Sequence, residues 1–158
     1  AFSFFSINTH TIYPPCLEFK WSDYSNITSS AISYISSSNI VVSMLNKTIY
    51  DVDSIEKFRL DVRPQFPVRM FQTSSLYVKN YYLPTSSYYA IKDLDTNEYV
   101  VDFDETYTKI SSDEQGNYFK IWMNGLEPLR YYEILIKTVI NGETLILNNK
   151  NYFKVTNG

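Results

Sequence analysis

The side chains best suited to acid–base or nucleophilic chemistry are one histidine and one cysteine, His10 and Cys16, in a chain of 158 residues. General acid–base catalysis usually recruits a histidine or a carboxylate with a tuned pKa, and a cysteine nucleophile needs a base beside it. A single histidine in an extended N-terminal segment is more often solvated or packed, and a single cysteine is more often a buried, inert thiol. We therefore expect neither residue to be catalytic and the protein not to be an enzyme.

Six acidic residues form the one candidate metal site of the sequence: Asp93, Asp95, Glu98, Asp102, Asp104 and Glu105. Asp93-x-Asp95-x-Asn97 begins like a calcium-binding loop, but that pattern then requires Gly at its sixth position and Glu at its twelfth. Glu98 and Asp104 occupy those positions, and residues 99–101 between them have the composition of a strand. The sequence favours a hairpin tip made of turn-forming Asp and Asn. We expect no metal and no cofactor, and the four glycines form no phosphate-binding loop.

The 15 tyrosines offer a binding function instead, and three adjacent pairs occur: Tyr81-Tyr82, Tyr88-Tyr89 and Tyr131-Tyr132. Neighbouring residues of a strand point to opposite faces of a sheet, so one member of each pair can enter the core while the other faces outward. Outward tyrosines give a large, rigid contact area that suits protein or sugar surfaces. The alternative is that tyrosines fill both core and rim because aliphatic residues are few, and the sequence leaves both interpretations open.

A corner, a strand and a tight turn position the last of these pairs. Pro128 fixes φ and cannot lie inside a central strand, so the strand begins after it and alternates from Tyr132 onward. Asn141-Gly142 has the residue types of a type I′ hairpin turn. The pattern Leu126-x-Pro128-x-x-x-Tyr132 resembles the tyrosine corner of fibronectin type III and related immunoglobulin-like sandwiches, in which the tyrosine hydroxyl bonds back to the backbone.

Further strands are predicted from alternating or continuously apolar runs at 17–21, 40–45, 48–52, 58–62, 87–93, 98–103, 106–110, 118–123, 143–147 and 152–155. Residues 48–52 are expected to return beside 40–45, and residues 54–57 to form a single helical turn capped by Ser54. Gly116 is expected to supply a positive φ, and Asn148-Asn149 to form a turn. The sequence therefore predicts an all-β protein.

The domain prediction divides the chain near Pro84. Residues 1–84 are expected to form a β-rich N-terminal domain or arm that ends in a long irregular connection. Residues 85–158 are expected to form an immunoglobulin- or fibronectin III-like β-sandwich, because roughly seven strands at short spacing are typical of that architecture.

Composition excludes several classes of function. The net charge is -3 and no basic stripe is present, which disfavours binding to nucleic acid through phosphates. No run of 18 apolar residues predicts a membrane-spanning helix, so no membrane partner is expected. One cysteine excludes an internal disulfide framework.

Several stretches resemble β-sandwich segments of virion structural proteins from large contractile-tailed phages of the T4-like, marine cyanophage kind: residues 83–93, 101–104, 108–111, 116–119, 125–128 and 131–132, together with 17–21 and 58–64. The resemblance implies a structural role in a virion that is assembled in the host cytoplasm. It implies other virion proteins and copies of the chain itself as partners, and it carries no active site.

The residues that we expect to make subunit contacts are aromatic: Phe2, Phe4, Phe5, Phe66, Phe71, Tyr77, Tyr81 and Tyr82. They belong to the apolar N-terminal arm and to the irregular connection before Pro84. An alternative is a receptor- or carbohydrate-binding module whose tyrosines stack on sugar faces. A hydrolase of the cell envelope is the weakest hypothesis, because the histidine lacks a partner and no paired-carboxylate motif is evident.

Overall fold

The computed structural model describes residues 33–35, 38–66 and 80–157. Several predicted features lie outside these residues, namely the strand at 17–21 and the candidate residues Phe2, Phe4, Phe5, His10, Cys16, Phe71 and Tyr77. No helix within the described part of the chain is long and apolar enough to span a lipid bilayer.

The described residues form strands β1 (Ser33–Tyr34), β2 (Ile40–Met44), β3 (Ile49–Asp51), β4 (Ile55–Pro64), β5 (Tyr81–Tyr82), β6 (Ser87–Asp93), β7 (Tyr99–Val101), β8 (Ser111–Asp113), β9 (Gly116–Trp122), β10 (Tyr131–Ile140) and β11 (Glu143–Thr156). One turn of 3-10 helix, Met123–Gly125, lies between β9 and β10. These strands confirm the all-β prediction. Residue types that suit a pleated surface dominate them, which explains why they form.

Two sheets contain most of these strands. One sheet has five strands in the order β3-β11-β10-β6-β7, and the other has four in the order β2-β4-β9-β8. β1 and β5 pair in parallel as a short separate ladder. Because alternate residues of a strand face the same way, each sheet turns one apolar row toward the other.

A single aromatic core joins the two sheets. Tyr89 of β6 stacks on Phe119 of β9 with 4.3 Å between ring centroids, and Phe58 of β4 meets Phe153 of β11 at 5.8 Å. All four rings are buried, and offset or tilted ring pairs add to the free energy gained from burial. The described residues therefore form a β-sandwich with one continuous core.

The predicted division into residues 1–84 and 85–158 does not hold for this sandwich. β4 lies before Pro84 and pairs with β9, while β3 lies before it and pairs with β11. Each sheet thus takes strands from both sides of the proposed boundary, and within the described residues the two sheets begin with β2 at Ile40. The prediction failed because proline-rich composition marks a break in the chain but carries no information about which distant strands pair.

The segment around β3 also departs from the prediction. β3 pairs in parallel with the end of β11 and does not return beside β2. Ser54 closes the turn between β3 and β4, because its backbone N–H and its hydroxyl both donate to the carbonyl of Asp51, at 3.0 and 2.8 Å. β4 begins at Ile55, so the helical turn predicted for residues 54–57 is wrong.

Residues 106–110 form a side-chain-stabilised loop and not the predicted strand. One carboxylate oxygen of Asp104 accepts the backbone N–H groups of Thr106 and Tyr107, each at 2.7 Å. Only Lys109 makes a β-bridge, to Tyr88. An aspartate that bonds the backbone two and three residues ahead competes with a strand ladder, which explains the difference.

The predicted turn at Asn148-Asn149 is a bulge within the continuous strand β11. The register with β10 shifts between Ile134 and Ile136, and Lys150 has a φ of 55°. The side-chain oxygen of Asn148 accepts the N–H of Lys150 at 3.0 Å and stabilises the distortion. The turn residues were recognised correctly, but they bend a strand and do not end it.

Two turn predictions are confirmed by backbone angles. Asn141 and Gly142 have φ values of 53° and 83°, as a type I′ turn requires, and they join β10 to β11. Gly116 has a φ of 121°, which places it in a region that other residues rarely adopt.

Candidate functional site

The outer face of the five-stranded sheet carries an unusual set of aromatic and basic side chains. In β6 and β10 the inward residues Tyr89 and Tyr132 are buried, so their neighbours Tyr88 and Tyr131 lie on the opposite face. Strand register places the members on β7, β10 and β11 beside them, and Phe103 of the following loop contacts Lys137. We call this surface the tyrosine–lysine face, defined by Tyr88, Lys92, Tyr99, Phe103, Tyr131, Lys137, Ile146, Tyr152 and Lys154.

Three lysines of the tyrosine–lysine face lie over aromatic rings. The ammonium nitrogen of Lys137 lies 5.2 Å from the ring centroid of Tyr88 and 4.8 Å from that of Phe103. Lys154 lies 5.2 Å from the ring of Tyr131, and Lys92 lies 5.9 Å from the ring of Tyr99. Each contact is a cation–π interaction that holds a long basic side chain against the sheet.

A short buried layer lies beneath these side chains. Ala90 and Leu135 are directly opposed on β6 and β10, and both are buried although they face away from the main core. Glu133 is buried beside them, and its carboxylate faces the hydroxyl of Tyr152 closely enough to interact with it. Burial raises the pKa of Tyr152, and the negative charge of Glu133 raises that pKa further. The inner part of this face is therefore ordered by its own contacts.

The periphery of the tyrosine–lysine face remains open to solvent. Tyr99, Tyr131 and Ile146 are each about half exposed, at 48%, 50% and 57%, and Tyr152 is 39% exposed. Single exposed apolar residues are ordinary, but a group of them on one sheet face is typical of a contact surface. The surface offers ring edges, hydroxyl groups and an isoleucine side chain to a partner.

The outer face of the four-stranded sheet is different because three of its charged side chains bind one another. Asp113 accepts two hydrogen bonds from the guanidinium of Arg59, at 2.9 and 2.8 Å, and one from Lys57 at 2.9 Å. These bonds hold the pKa of Asp113 well below its usual value, and the bonds from Arg59 contribute most to that lowering. Burial of the carboxylate acts in the opposite direction. Lys57 also lies 3.7 Å above the ring of Tyr118. This cluster has little bonding capacity left for a partner.

The corner residues lie at one end of the sandwich. The hydroxyl of Tyr132 donates to the backbone oxygen of Glu127 at 3.0 Å, and Leu126 is buried. Pro128 is exposed at the bend. Burial raises the pKa of Tyr132 to about 12. The guanidinium of Arg130 forms ion pairs at the same corner with the carboxylates of Asp93, at 2.7 Å, and Glu127, at 2.6 Å.

The acidic cluster is divided among separate turns. Asp93 accepts the backbone N–H groups of Asp95 and Thr96 and the guanidinium of Arg130. Burial alone would raise the pKa of Asp93, but these bonds outweigh it and lower that pKa. Asp104 is held in its own loop, where two backbone bonds lower its pKa. Among the residues that the structure describes, no group of three or more metal-ligating side chains comes together.

The described contact candidates before Pro84 have unequal exposure. Phe66 is 77% exposed, whereas Tyr82 is buried and Tyr81 packs partly against the core. Asn117 of β9 fixes this segment, because its side chain accepts the N–H of Leu83 at 3.1 Å and donates to the carbonyl of Tyr81 at 3.3 Å. Of these aromatic residues, Phe66 is the one that offers its ring to solvent.

Sequence reasoning missed most of the tyrosine–lysine face. The feature of the sequence that could have indicated this face is one lysine on the outward row of each of three strands, namely Lys92, Lys137 and Lys154. The alternation in each strand predicts that row, but only the strand register brings each lysine beside a ring.

No protein-family model, curated protein or solved structure matches this chain. The resemblance to virion structural proteins therefore rests on the sequence stretches alone.

Proposed function

We propose that this chain is a non-enzymatic structural module of a tailed-phage virion, in which it makes contacts between subunits. The observation that carries the contact function is the tyrosine–lysine face, with Tyr99, Tyr131 and Ile146 about half exposed. Tyrosine is enriched in protein interfaces because its ring gives rigid contact area and its hydroxyl gives a hydrogen bond. The virion assignment is supported by the sequence resemblance.

The strand order supports an immunoglobulin-like fold as part of this proposal. In constant-type immunoglobulin sandwiches, strands A, B, E and D form one sheet and strands C, F and G form the other. Assigning β2, β4, β9 and β8 to the first set and β6, β10 and β11 to the second reproduces that grouping. The Tyr132 bond to the backbone upstream of β10 has the position of the tyrosine corner.

The lysines are the adjustable part of the proposed contact surface. An exposed cation–π contact contributes about 0.5–1 kcal/mol, so a docking protein can displace the ammonium groups at modest cost. The lysine stems are apolar and can remain against the sheet while the charged ends move to the rim of an interface. The tyrosine rings and Ile146 would then become the buried centre.

Mass spectrometry of gradient-purified particles tests the virion assignment. Particles of the phage that encodes this chain should contain its peptides in a constant ratio to the major capsid protein. Peptides that are abundant in the infected-cell lysate but missing from the particles would overturn the assignment.

A variant pair tests the contact surface in the same particles. The double variant Tyr99→Ser/Tyr131→Ser should fold and be depleted from particles, because both rings are exposed and contribute little to the core. Tyr107→Ser is the matched control, since Tyr107 is 59% exposed in a loop outside the face. Equal incorporation of the double variant and the control would remove the face from the proposal.

A carbohydrate-binding function is the second candidate, and the same exposed tyrosines favour it. Aromatic rings on a flat sheet can stack on sugar rings, but here Lys92 and Lys154 already lie over the rings of Tyr99 and Tyr131. Binding of the isolated chain to a glycan array, lost in Tyr99→Ser/Tyr131→Ser and kept in Tyr107→Ser, would favour this candidate. If the wild-type chain binds glycans no better than the double variant does, the carbohydrate-binding candidate is contradicted.

A further inference from the structure

Among the residues that the structure describes, β11 has an edge that is left open along much of its length. It is the longest described strand, and β10 pairs with one of its sides from Glu143 to Lys154. Among the described strands, only β3 pairs with its other side, at residues 154–156. The first part of β11 therefore has one hydrogen-bonding edge that no strand of the described sandwich occupies.

The register identifies the backbone groups on that edge. In a two-residue hairpin the flanking residues, here Ile140 and Glu143, exchange hydrogen bonds, and bonded pairs then alternate along the ladder. Leu145 and Leu147 consequently bond to β10. The N–H and C=O groups of Thr144 and Ile146 point the other way, toward the open edge.

The residues of this edge favour pairing with another strand. Residues 144–147 read Thr-Leu-Ile-Leu, with no proline and no charge, and Ile146 is 57% exposed. Natural sheets usually protect an edge by a charge, a proline, a bulge or a very short strand. β7 and β8 are edges of three residues each, whereas the protection of β11 begins only at its bulge, where Lys150 has a φ of 55°.

The other long edge of the described sandwich is partly blocked by a side chain. β2 has five residues and lies at the end of the four-stranded sheet. The side-chain amide of Asn149 donates to the carbonyl of Val42 and occupies part of that edge. The first five residues of β11 thus form the edge best able to accept a strand.

We propose that residues 143–147 of β11 pair antiparallel with the same residues of a second copy of this chain. A two-fold axis at Leu145 places Thr144 opposite Ile146 of the partner subunit and completes four backbone hydrogen bonds. Glu143 then lies opposite Leu147 of the partner subunit, so no like charges meet directly.

The path of the described strands leaves room for this arrangement. The hairpin turn of the partner subunit lies beside Asn148 and Asn149 of the first subunit. The partner's strand therefore ends before it reaches residues 154–156, where β3 occupies the edge. The two five-stranded sheets become one ten-stranded sheet, with the exposed Ile146 side chains near its centre. An isologous contact of this kind is self-complementary and closes at two copies.

This inference deepens the proposed function, on which it rests for its biological setting, by naming one subunit contact and its partner. Sedimentation velocity of the full chain over a range of concentrations should show a reversible dimer. Thr144→Pro should raise the dimer Kd at least about ten-fold, because each subunit loses one N–H donor on the edge that pairs with the partner. The N–H groups that bond to β10 are kept. Thr144→Val is the matched control, since it keeps the N–H, and it should retain the dimer.

A second variant covers the case in which proline disturbs the hairpin. Ile146→Lys keeps the backbone intact and places two charges near the two-fold axis, so it should also yield monomers with an unchanged circular dichroism spectrum. A wild-type chain that remains monomeric, or a dimer that tolerates both Thr144→Pro and Ile146→Lys, overturns the inference. Either result leaves the virion assignment to be decided independently by particle composition.

Discussion

The inner and outer faces of the five-stranded sheet use the same residue types for different purposes. Tyr131 and Tyr132 are adjacent in β10, yet the first is 50% exposed and the second is 1% exposed. The inner tyrosine bonds the backbone and fixes a corner, whereas the outer one holds Lys154 against its ring. Residue type therefore does not separate the core from the outer face of this sheet; the direction of the side chain does.

Charged residues follow the same division. Asp93 ends the inward row of β6 and is bound by Arg130 and by the backbone of its turn. Its neighbour Lys92 faces outward and has only a ring contact in the described structure. The inner charge is therefore part of the fold, while the outer charge is held only by a weak ring contact.

The largest expected difference concerns neighbouring aliphatic residues of β10. Ile134→Ala should lower the free energy of unfolding by about 4 kcal/mol, because Ile134 is fully buried in the main core. Leu135→Ala should cost only about 2 kcal/mol, because a cavity on the outer face can collapse or admit water. Urea denaturation of both variants measures the difference. Equal losses would mean that the outer face is a second core and is not available for contacts.

The adjacent tyrosines give the next largest contrast. Tyr132→Phe should cost about 1–2 kcal/mol, since it removes the hydroxyl that donates to the backbone oxygen of Glu127. Tyr131→Phe is the matched control and should change the free energy of unfolding by less than about 0.5 kcal/mol. Thermal and urea unfolding of the two variants compare them directly. No loss in Tyr132→Phe would argue against a stabilising role for the corner bond.

The inner carboxylate of Asp93 should make stability depend on pH. Its pKa is lowered in the folded chain, so its contribution is complete above the unfolded-state pKa of about 3.9 and is lost as pH falls through the folded value. Asp93→Asn should cost about 1 kcal/mol at pH 7 and flatten the decline of stability below pH 4. Asp95→Asn is the control in the same turn. Identical pH profiles for wild type and Asp93→Asn would contradict the assignment.

Local pattern was sufficient for much of the fold. Alternation placed β6 at the residues observed, and the Asn141-Gly142 pair located the β10–β11 turn, because both depend on residues close in sequence. The pairing of β4 with β9 and of β3 with β11 joins segments more than 50 residues apart. No local propensity specifies such pairing, which is why the proposed boundary at Pro84 divided one sandwich in two.

The candidate contact surface shows the same limit. The corner at Tyr132 was visible because its residues are contiguous, but the tyrosine–lysine face combines side chains from four strands and a loop. Tyr82 was expected to make external contacts and is buried, because Asn117 ties its segment to β9. The Asn117 side chain bonds the backbone of this segment in place of a strand ladder, and a single residue of this kind produces no periodic pattern in the sequence.

The smallest expected effect tests whether the outer face can release its lysines. Lys137 lies over the rings of Tyr88 and Phe103, and its removal in Lys137→Gln should cost only about 0.5–1 kcal/mol because such contacts are weak when partly exposed. Lys137→Arg keeps a cation over the rings and should lie closer to wild type. Urea denaturation at low and high salt measures both variants. A loss of more than about 2 kcal/mol in Lys137→Gln would mean that the lysine is integral to the fold. A small loss would mean that a partner can displace its ammonium group and reach the tyrosine rings beneath.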